Sequence, residues 1–279
     1  MVIDAAALHT ELTHELNNAN IPDAAFDVRC MIEQVTGCRY ERLLLTGISA
    51  ESGEAIRNMA QRRASGEPLQ YILGEWEFFG MRLFVGEGVL IPRPDTEVLV
   101  ETVLDWCKGK QDLRILDLCT GSGCIALALQ KHLPDAEVHA LDFSEAALSY
   151  AKRNTDYHKL PVIFHQGDVL NRQTAAKFRD FDVIVSNPPY LTAQEMTQLQ
   201  TEIRFEPASA LEAGEDGLIF YRTITQLWTN ALKTDGLLAY EIGEQQGEAV
   251  SGIMALHHFS DIRTIQDYAH HDRVVTGTK

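Results

Sequence analysis

The residues most able to do chemistry in this chain form one short loop, Asn187-Pro188-Pro189-Tyr190. Because proline has no backbone N–H, this loop offers mainly oxygen acceptors. The Asn187 side-chain oxygen and the Pro188 carbonyl suit the two hydrogens of one planar –NH2 group, and Tyr190 supplies a flat face for an amide or a base. The two rings also fix φ, so the loop is rigid before anything binds. The pattern predicts a site for an amino group, although a proline-rich turn after a strand also explains it.

A second loop with binding chemistry lies upstream. The sequence predicts a strand over residues 114–118, followed by a tight turn and a helix. Gly121 and Gly123 let a ligand approach the backbone at the positive end of the helix dipole. The next predicted strand ends in Asp142, whose carboxylate can accept both hydroxyls of a ribose. Taken alone, this Gly-x-Gly turn followed by an acid also fits an NAD site.

The order of the motifs favours a different cofactor. Asp117-x-x-x-Gly121-x-Gly123, then Asp142, then the Asn187 loop follow the order and spacing of class I methyltransferases, which bind S-adenosyl-L-methionine. An NAD-binding Rossmann protein would leave the Asn187 loop without a function. Asp117 either orients the amino group of the cofactor through the loop or caps the glycine-rich turn, and both interpretations stay open at this point.

Five motifs along the chain belong together, namely Gly66-Glu67-Pro68-Leu69-Gln70-Tyr71-Ile72-Leu73-Gly74, Leu90-Ile91-Pro92-Arg93-Pro94-Asp95-Thr96-Glu97, Asp117-Leu118-Cys119-Thr120-Gly121-Ser122-Gly123, Val185-Ser186-Asn187-Pro188-Pro189-Tyr190 and Arg204-Phe205-Glu206-Pro207. With these motifs the chain resembles the PrmC/HemK protein-(glutamine-N5) methyltransferases over nearly its whole length. The Ile-Pro-Arg-Pro-Asp-Thr-Glu block is the most specific, since other methyltransferases with Asn-Pro-Pro-Tyr do not generally carry it. Cys119 departs from the family, which usually has glycine there, and Ala269 stands where a glycine is common.

The resemblance implies methyl transfer from S-adenosyl-L-methionine to the N5 of the glutamine in the Gly-Gly-Gln motif of class-1 peptide chain release factors. It also implies that the amino-terminal helices grip the release factor, and it places adenine near Asp168, although a turn aspartate explains that residue equally well. The cofactor-binding residues are then Asp117, Cys119, Thr120, Gly121, Ser122, Gly123, Asp142, Asp168, Val169 and Asn187. The substrate-binding residues are Asn187, Pro188, Pro189 and Tyr190, of which Asn187, Pro188 and Tyr190 are predicted to be catalytic. We expect neither a strong general base nor a metal.

Net charge helps to separate the possible substrates, since the acceptor loop alone would serve adenine N6 or cytosine N4 equally well. The chain carries a net charge of −16, which is poorly suited to neutralising phosphates and disfavours a DNA or RNA amino-methyltransferase. Its five cysteines form no C-x-x-C pair, which favours reduced thiols and a cytoplasmic location. We expect neither a secretory signal nor a membrane span.

The elements that position these loops fall into three predicted regions. Residues 1–72 form a helical domain for substrate recognition, residues 73–92 a β-hairpin linker, and residues 93–279 the catalytic methyltransferase domain. In the helical domain, apolar spacing predicts two buried helix faces, one containing Ala7, Leu8, Leu12 and Leu16 and the other containing Phe26, Cys30 and Val35.

From Arg114 onward, strands alternate with helices, which predicts an α/β fold. The predicted strands are 114–118, 137–142, 162–166, 182–186, 237–242, 262–266 and 273–276. The break between the last two is too short for a helical crossover, so we expect an antiparallel pair. The resemblance implies the seven-stranded Rossmann-like sheet of class I methyltransferases. Both ligand loops follow strands and should lie at the carboxyl edge of that sheet.

Overall fold

The computed structural model describes residues 2–279, and the chain divides into two compact units. The first contains the chain up to Glu75 together with Gln200–Phe205, and the second contains Trp76–Leu199 and Glu206–Lys279. The short segment 200–205 therefore belongs to the helical unit although it follows the Asn187 loop in sequence. Among the described residues, no helix is both long enough and apolar enough to cross a membrane.

The first unit is built mainly of helices. Its elements are β1 (Val2–Ile3), α1 (Ala5–Asn18), α2 (Ala24–Thr36), α3 (Tyr40–Thr46), β2 (Ile48–Ser49), α4 (Ala50–Ala64) and α5 (Leu69–Leu73), with β1 antiparallel to β2. The Asp4 carboxylate caps α1 by accepting the Ala7 N–H at 2.9 Å. The buried face of α1 contains Leu8, Leu12 and Leu16, as the spacing predicted. Ala7 was placed on that face wrongly, because it is exposed.

The buried face of α2 differs from the predicted one. Phe26 is 54% exposed, and Cys30 and Val35 are only half-buried. The helix instead buries Ala24, Asp27, Val28, Met31 and Ile32. The prediction was wrong because a neighbouring stripe of the same helix carries three large aliphatic side chains at helical spacing, and burying that stripe removes more apolar surface from water.

A buried ion-pair network ties the first unit together. Arg63 of α4 and Asp27 of α2 are both buried, with Nε and Oδ2 2.6 Å apart. The Arg63 Nη2 lies 2.7 Å from Oε1 of Glu202, which belongs to segment 200–205. Gly66 has a φ of +94°, and a Cβ there would lie 2.6 Å from the Thr201 side chain. Segment 200–205 is therefore held within this unit by the ion pair of Glu202 with Arg63 and by the close packing of the Thr201 side chain on Gly66.

The second unit begins at Trp76 and contains most of a two-stranded sheet and the whole of a large one. β3 (Glu75–Phe78) pairs with β4 (Met81–Phe84) around Gly80. The strands of the large sheet are β5 (Arg114–Leu118), β6 (Glu137–Asp142), β7 (Ile163–Gln166), β8 (Phe181–Ser186), β9 (Leu232–Glu241), β10 (Ser260–Gln266) and β11 (Asp272–Thr278). Their order is β10-β11-β9-β8-β5-β6-β7. The α/β class and the seven-stranded sheet predicted from the sequence are thereby confirmed.

Strand directions follow the predicted pattern. Neighbours from β9 through β8, β5 and β6 to β7 are parallel, whereas β11 is antiparallel to both β9 and β10. The antiparallel ending of the sheet is therefore confirmed. β9 begins at Leu232, earlier than the predicted 237, and its ladder with β8 has an irregularity between Phe181 and Val183.

Helices cover both faces of the large sheet. The α-helices of this unit are α6 (Thr96–Cys107), α7 (Cys124–His132), α8 (Glu145–His158), α9 (Arg172–Ala175), α10 (Ala193–Met196), α11 (Ile219–Trp228) and α12 (Gly247–Leu256). One apolar cluster joins the sheet to α6 and α7, and another joins it to α11 and α12. β5 is buried from Ile115 to Leu118, as expected of a parallel strand covered on both sides. Since β5 and β8 are neighbours, the two ligand loops emerge side by side.

Candidate active site

A cavity of about 260 Å³ lies at the carboxyl edge of the large sheet, within the second unit. This is the edge at which doubly wound α/β proteins bind ligands. The predicted site residues that line the cavity are Cys119, Thr120, Gly121, Ser122, Asp142, Asp168, Val169, Asn187 and Pro189. Four predicted residues lie outside its wall, namely Asp117, Gly123, Pro188 and Tyr190.

Asp117 supports the glycine-rich loop from below. It is 0% exposed, and its Oδ2 accepts a hydrogen bond from the Thr120 hydroxyl at 2.5 Å. Burial raises the pKa of Asp117 from 3.8 to about 7, against the opposing effect of that hydrogen bond. Of the two interpretations left open by the sequence, the geometry favours the cap of the turn, since the Asp117 side chain is enclosed beneath the cavity wall.

Asp142 joins the end of β6 to the loop after β5. Its Oδ2 accepts the Gly121 N–H at 2.8 Å, and its Oδ1 accepts the Ser144 N–H at 2.8 Å. Burial raises the pKa of this carboxyl, while the backbone hydrogen bonds oppose the shift. Each carboxylate oxygen has a further lone pair, so Asp142 can accept hydroxyl groups in the cavity and still hold the loop.

The two glycines of the loop serve different purposes. Gly121 has a φ of +56° and lines the cavity. Gly123 precedes α7 with a φ of +82°, and a Cβ there would lie 3.2 Å from the Cβ of Ala151 on α8. Gly123 therefore lets the two helices approach, and only Gly121 presents bare backbone to a ligand.

Cys119 adopts backbone angles that favour glycine. Its φ is +61°, in the left-handed region where a side chain costs about 1–2 kcal/mol. This explains why glycine suits the position, and it shows that the cysteine is held there by the surrounding loop. Burial raises the pKa of the Cys119 thiol well above its ordinary value, so the group is a neutral thiol in the cavity wall and not a nucleophile.

Asp168 and Val169 follow β7 and lie in the cavity wall. The Asp168 Oδ1 accepts the Leu170 N–H at 2.8 Å. Asp168 is therefore a turn aspartate, as one of the two interpretations of this residue predicted. Val169 is buried, and its carbonyl accepts the Trp228 indole N–H at 2.9 Å. Both residues are therefore held rigidly by their neighbours while they face the cavity.

Asn187 is held by its amide nitrogen. Its Nδ2 donates to the Thr96 Oγ1 at 3.2 Å. Burial raises the pKa of Glu241 to about 7, in spite of hydrogen bonds from the side chains of Thr96 and Asn187. Because Thr96 takes the nitrogen end of the amide, Oδ1 is left at the opposite end for a ligand in the cavity that Asn187 lines.

Pro189 forms part of the cavity wall, whereas Pro188 and Tyr190 lie outside it. Both prolines are buried. Tyr190 is half-buried, and burial raises its pKa to about 12, so its phenol stays neutral. The Tyr190 carbonyl accepts a hydrogen bond from Nε2 of Gln246 at 3.1 Å, which holds the end of the loop in place.

One wall of the cavity is fastened by Glu206. Its buried carboxylate accepts the Ile91 N–H at 3.0 Å through Oε2 and pairs with the Arg93 guanidinium through Oε1. Arg93 and Pro207 line the cavity from the two joined segments. Glu206 thus joins the segment that contains Ile91 and Arg93 to the segment that contains Pro207.

Sequence reasoning missed three residues that organise the site. They are Thr96, Glu206 and Glu241, which hold Asn187 or the cavity wall. Thr96 and Glu206 both lie in motifs that carry the family resemblance, which was the available signal. Glu241 lies near the end of a predicted strand, and an acid at the carboxyl edge of a parallel sheet was the signal there.

Known protein families match residues in both units of the chain. The family model described as PrmC N-terminal domain matches residues 7–74, and the one described as Methyltransferase small domain matches residues 94–223. A release factor glutamine methyltransferase from Thermodesulfovibrio yellowstonii is 44% identical over 232 residues, which cover 82% of each chain. The protein of the same name from Salmonella typhimurium is 37% identical over 272 residues and 96% of each chain. A solved methyltransferase structure from Pyrococcus furiosus has the same fold, with a TM-score of 0.54, 17% identity and coverage of 83% of this chain and 99% of that one.

Proposed function

Because this chain belongs to the family of release factor glutamine methyltransferases, we propose that it methylates a side-chain glutamine of a release factor. The methyl donor is S-adenosyl-L-methionine, and the acceptor is the N5 of the glutamine in the Gly-Gly-Gln motif of class-1 release factors. The observation that best supports this proposal is the arrangement around Asn187, whose amide nitrogen is occupied by Thr96. The Asn187 oxygen is thereby available to an amide –NH2 group. A cytoplasmic location follows from this substrate.

The residues of the cavity fit the proposed methyl donor. When bound, S-adenosyl-L-methionine supplies a methyl group activated by a positively charged sulfur. The free lone pairs of Asp142 suit the two hydroxyls of its ribose. Asp168 suits the exocyclic amino group of adenine, and Val169 offers an apolar contact to the ring. The bare backbone of Gly121 leaves room beside Asp142 for close approach.

The acceptor nitrogen needs help, because an amide delocalises its lone pair into the carbonyl. In the proposed mechanism, Asn187 Oδ1 and the Pro188 carbonyl accept the two N–H hydrogens and align the nitrogen for attack. Positive charge grows on that nitrogen as it gains the methyl group, and two fixed acceptors stabilise it by about 2–4 kcal/mol, or a few powers of ten in rate. Tyr190 lies outside the cavity wall, and its phenol stays neutral because burial raises its pKa to about 12. No residue of the loop is a strong base, so the proton leaves to solvent.

The helical region provides the proposed contact with the release factor. We assign residues 1–72 to substrate recognition, residues 73–92 to the linker and residues 93–279 to catalysis. Two leucines of α3 support a docking role, since Leu44 is 50% and Leu45 is 90% exposed. Exposed leucines of this kind stabilise protein–protein contacts when they are buried on binding.

Incubation with a labelled methyl donor tests the function directly. The purified protein is given a class-1 release factor, the same factor with its Gly-Gly-Gln glutamine changed to alanine, and duplex DNA. We expect label only in the unaltered release factor, with mass spectrometry placing one methyl group on that glutamine. Label on DNA would overturn the proposal in favour of an adenine or cytosine amino-methyltransferase.

A binding titration separates the remaining alternative. We expect S-adenosyl-L-homocysteine, the product form of the cofactor, to bind to the cavity and NAD not to bind. Tight NAD binding without S-adenosyl-L-homocysteine binding would favour an NAD-dependent Rossmann protein.

A further inference from the structure

We propose that Glu241 is a positioning residue, which together with Thr96 holds the Asn187 side chain with Oδ1 facing the reacting amide. This role presupposes the methyl transfer to a glutamine nitrogen proposed above. Glu241 is outside the cavity wall, so it acts through Asn187 and does not touch the substrate.

The sheet places these residues next to one another. Ser186 at the end of β8 pairs with Tyr240 of β9, so the residues that follow, Asn187 and Glu241, emerge side by side. Thr96 opens α6 and is 2% exposed, as is Glu241. The Asn187 Nδ2 donates to the Thr96 Oγ1 at 3.2 Å, and hydrogen bonding by both side chains lowers the pKa of Glu241.

The charge of Glu241 decides which end of the Asn187 amide faces the cavity. The two ends of a side-chain amide have nearly the same shape, so only hydrogen bonding distinguishes them. An ionised carboxylate accepts hydrogen bonds and cannot donate, so it binds the Asn187 nitrogen and repels the oxygen. A protonated carboxyl can donate, which permits the flipped amide with Oδ1 turned away from the substrate.

A purely structural role explains Glu241 poorly. Its Oε2 is buried without a hydrogen-bond partner among the described residues, and a buried carboxylate in that state is costly. An uncharged side chain of similar size would pack there at lower cost. The carboxylate is therefore better explained by its effect on Asn187.

The surroundings of Glu241 put its titration in the neutral range. Burial raises its pKa to about 7; the nearby Arg273 of β11 lowers it, and Asp95 at the start of α6 raises it. The other titratable groups that interact with Glu241 are Tyr190 of the loop, Tyr221 of α11 and Cys124 of α7. Burial raises the pKa of each of these three groups, so all three are neutral near pH 7. Burial also raises the pKa of Asp117 of β5 to about 7, but Thr120, Ala126 and Asp142 are the groups that modify that pKa, and Glu241 is not among them. Among the groups that interact with Glu241, Glu241 itself is therefore the one whose charge changes near pH 7.

Single-turnover methylation of the release factor between pH 6 and pH 9 tests this role. In the unaltered protein we expect the rate to rise about tenfold from pH 6 to pH 8. In Glu241→Gln the rate should be about tenfold lower at pH 8 and should lose most of its rise with pH, with an unchanged Kd for S-adenosyl-L-homocysteine. A rise of the same size in Glu241→Gln as in the unaltered protein would overturn the proposal.

Thr96 provides a matched pair of variants in case Glu241→Gln does not fold. Thr96→Val removes the hydroxyl at nearly constant shape, and Thr96→Ser keeps it. We expect Thr96→Ser to turn over at least tenfold faster than Thr96→Val while both bind S-adenosyl-L-homocysteine equally. Equal rates for the two variants would show that the hydroxyl does not position Asn187.

An NMR titration tests the geometry without any catalysis. The side-chain –NH2 resonances of Asn187 are identified by their loss in Asn187→Ala. They should shift with a midpoint near pH 7 in the unaltered protein and stay constant in Glu241→Gln. If these resonances depend on pH in the same way in both proteins, Glu241 does not position Asn187, even if the protein methylates the release factor. Conversely, a protein that methylates no release factor but shows the Glu241-dependent shift would refute the proposed function alone.

Discussion

Replacing Asp117 with asparagine should remove a large part of the pH dependence of stability. Asp117 is 0% exposed, and burial raises its pKa from 3.8 to about 7. In the unfolded chain the carboxyl loses its proton near its ordinary pKa of 3.8, so between the two values the folded state holds a proton that the unfolded state has released. The free energy of unfolding therefore falls as the pH rises from about 4 to about 7, and stays lower above that.

The size of the effect follows from the two pKa values. A difference between 3.8 and about 7 corresponds to about 4 kcal/mol. Asparagine preserves the shape of the side chain and the oxygen that accepts the Thr120 hydrogen bond, but it cannot ionise. Glu241 titrates in the same direction, with a pKa raised by burial to about 7, so Asp117→Asn should leave a residual slope.

Urea unfolding at pH 5, 6, 7 and 8 measures this difference. The free energy of unfolding of Asp117→Asn minus that of the unaltered protein should rise by about 2–4 kcal/mol from pH 5 to pH 8. Parallel pH profiles for the two proteins would refute the reasoning, because they would mean that the Asp117 carboxyl has the same pKa folded and unfolded.

Substitutions at Glu206, Cys119 and Arg63 test other parts of the structure. Glu206→Gln removes the charged partner of Arg93, and calorimetry should show S-adenosyl-L-homocysteine binding about tenfold more weakly. Unchanged affinity would contradict the role of Glu206 in holding the cavity wall. Cys119→Gly should change the free energy of unfolding by no more than about 1 kcal/mol, because relief of the positive φ offsets the added chain entropy, while Cys119→Val should lose more than that; equal unfolding midpoints for the two would be contrary evidence. Arg63→Met should destabilise the helical unit by about 3–5 kcal/mol, because it leaves Asp27 buried and unpaired. The double variant Arg63→Met/Asp27→Leu should recover most of this stability. Hydrogen exchange of the amides in α2 and α4 measures both effects.

The sheet and the two ligand loops could be predicted because their signals are local. Each parallel strand is a short apolar run, and the loop residues follow directly in sequence, so the strand ends place Gly121, Asp142 and Asn187 together. The antiparallel ending followed from the short break between residues 266 and 273 in the same way. The arrangement of the strands therefore determines which loops meet, and the sequence pattern is sufficient to predict that arrangement.

The contacts that orient the site could not be predicted, because they join residues far apart in the chain. Nothing near Asn187 in sequence indicates that Thr96 will accept its amide hydrogen or that Glu241 lies beside it. The prediction of the buried face of α2 was wrong for a related reason. Phe26 fits one helical stripe, but a competing stripe of the same helix packs better. Both depend on tertiary packing, which local spacing does not determine.

Methyl transfer by Asn187→Ala is the most direct test of the acceptor site at Asn187. Alanine removes the oxygen acceptor, whereas the loop after β5 and Asp142, which we assign to the cofactor, remains intact. We predict that the single-turnover rate on the release factor falls by about 10²–10³, equivalent to the loss of about 2–4 kcal/mol of transition-state stabilisation, while the Kd for S-adenosyl-L-homocysteine changes less than about threefold, since Asn187 forms only part of the cavity wall. Comparable rates for Asn187→Ala and the unaltered protein would contradict the role assigned to Asn187.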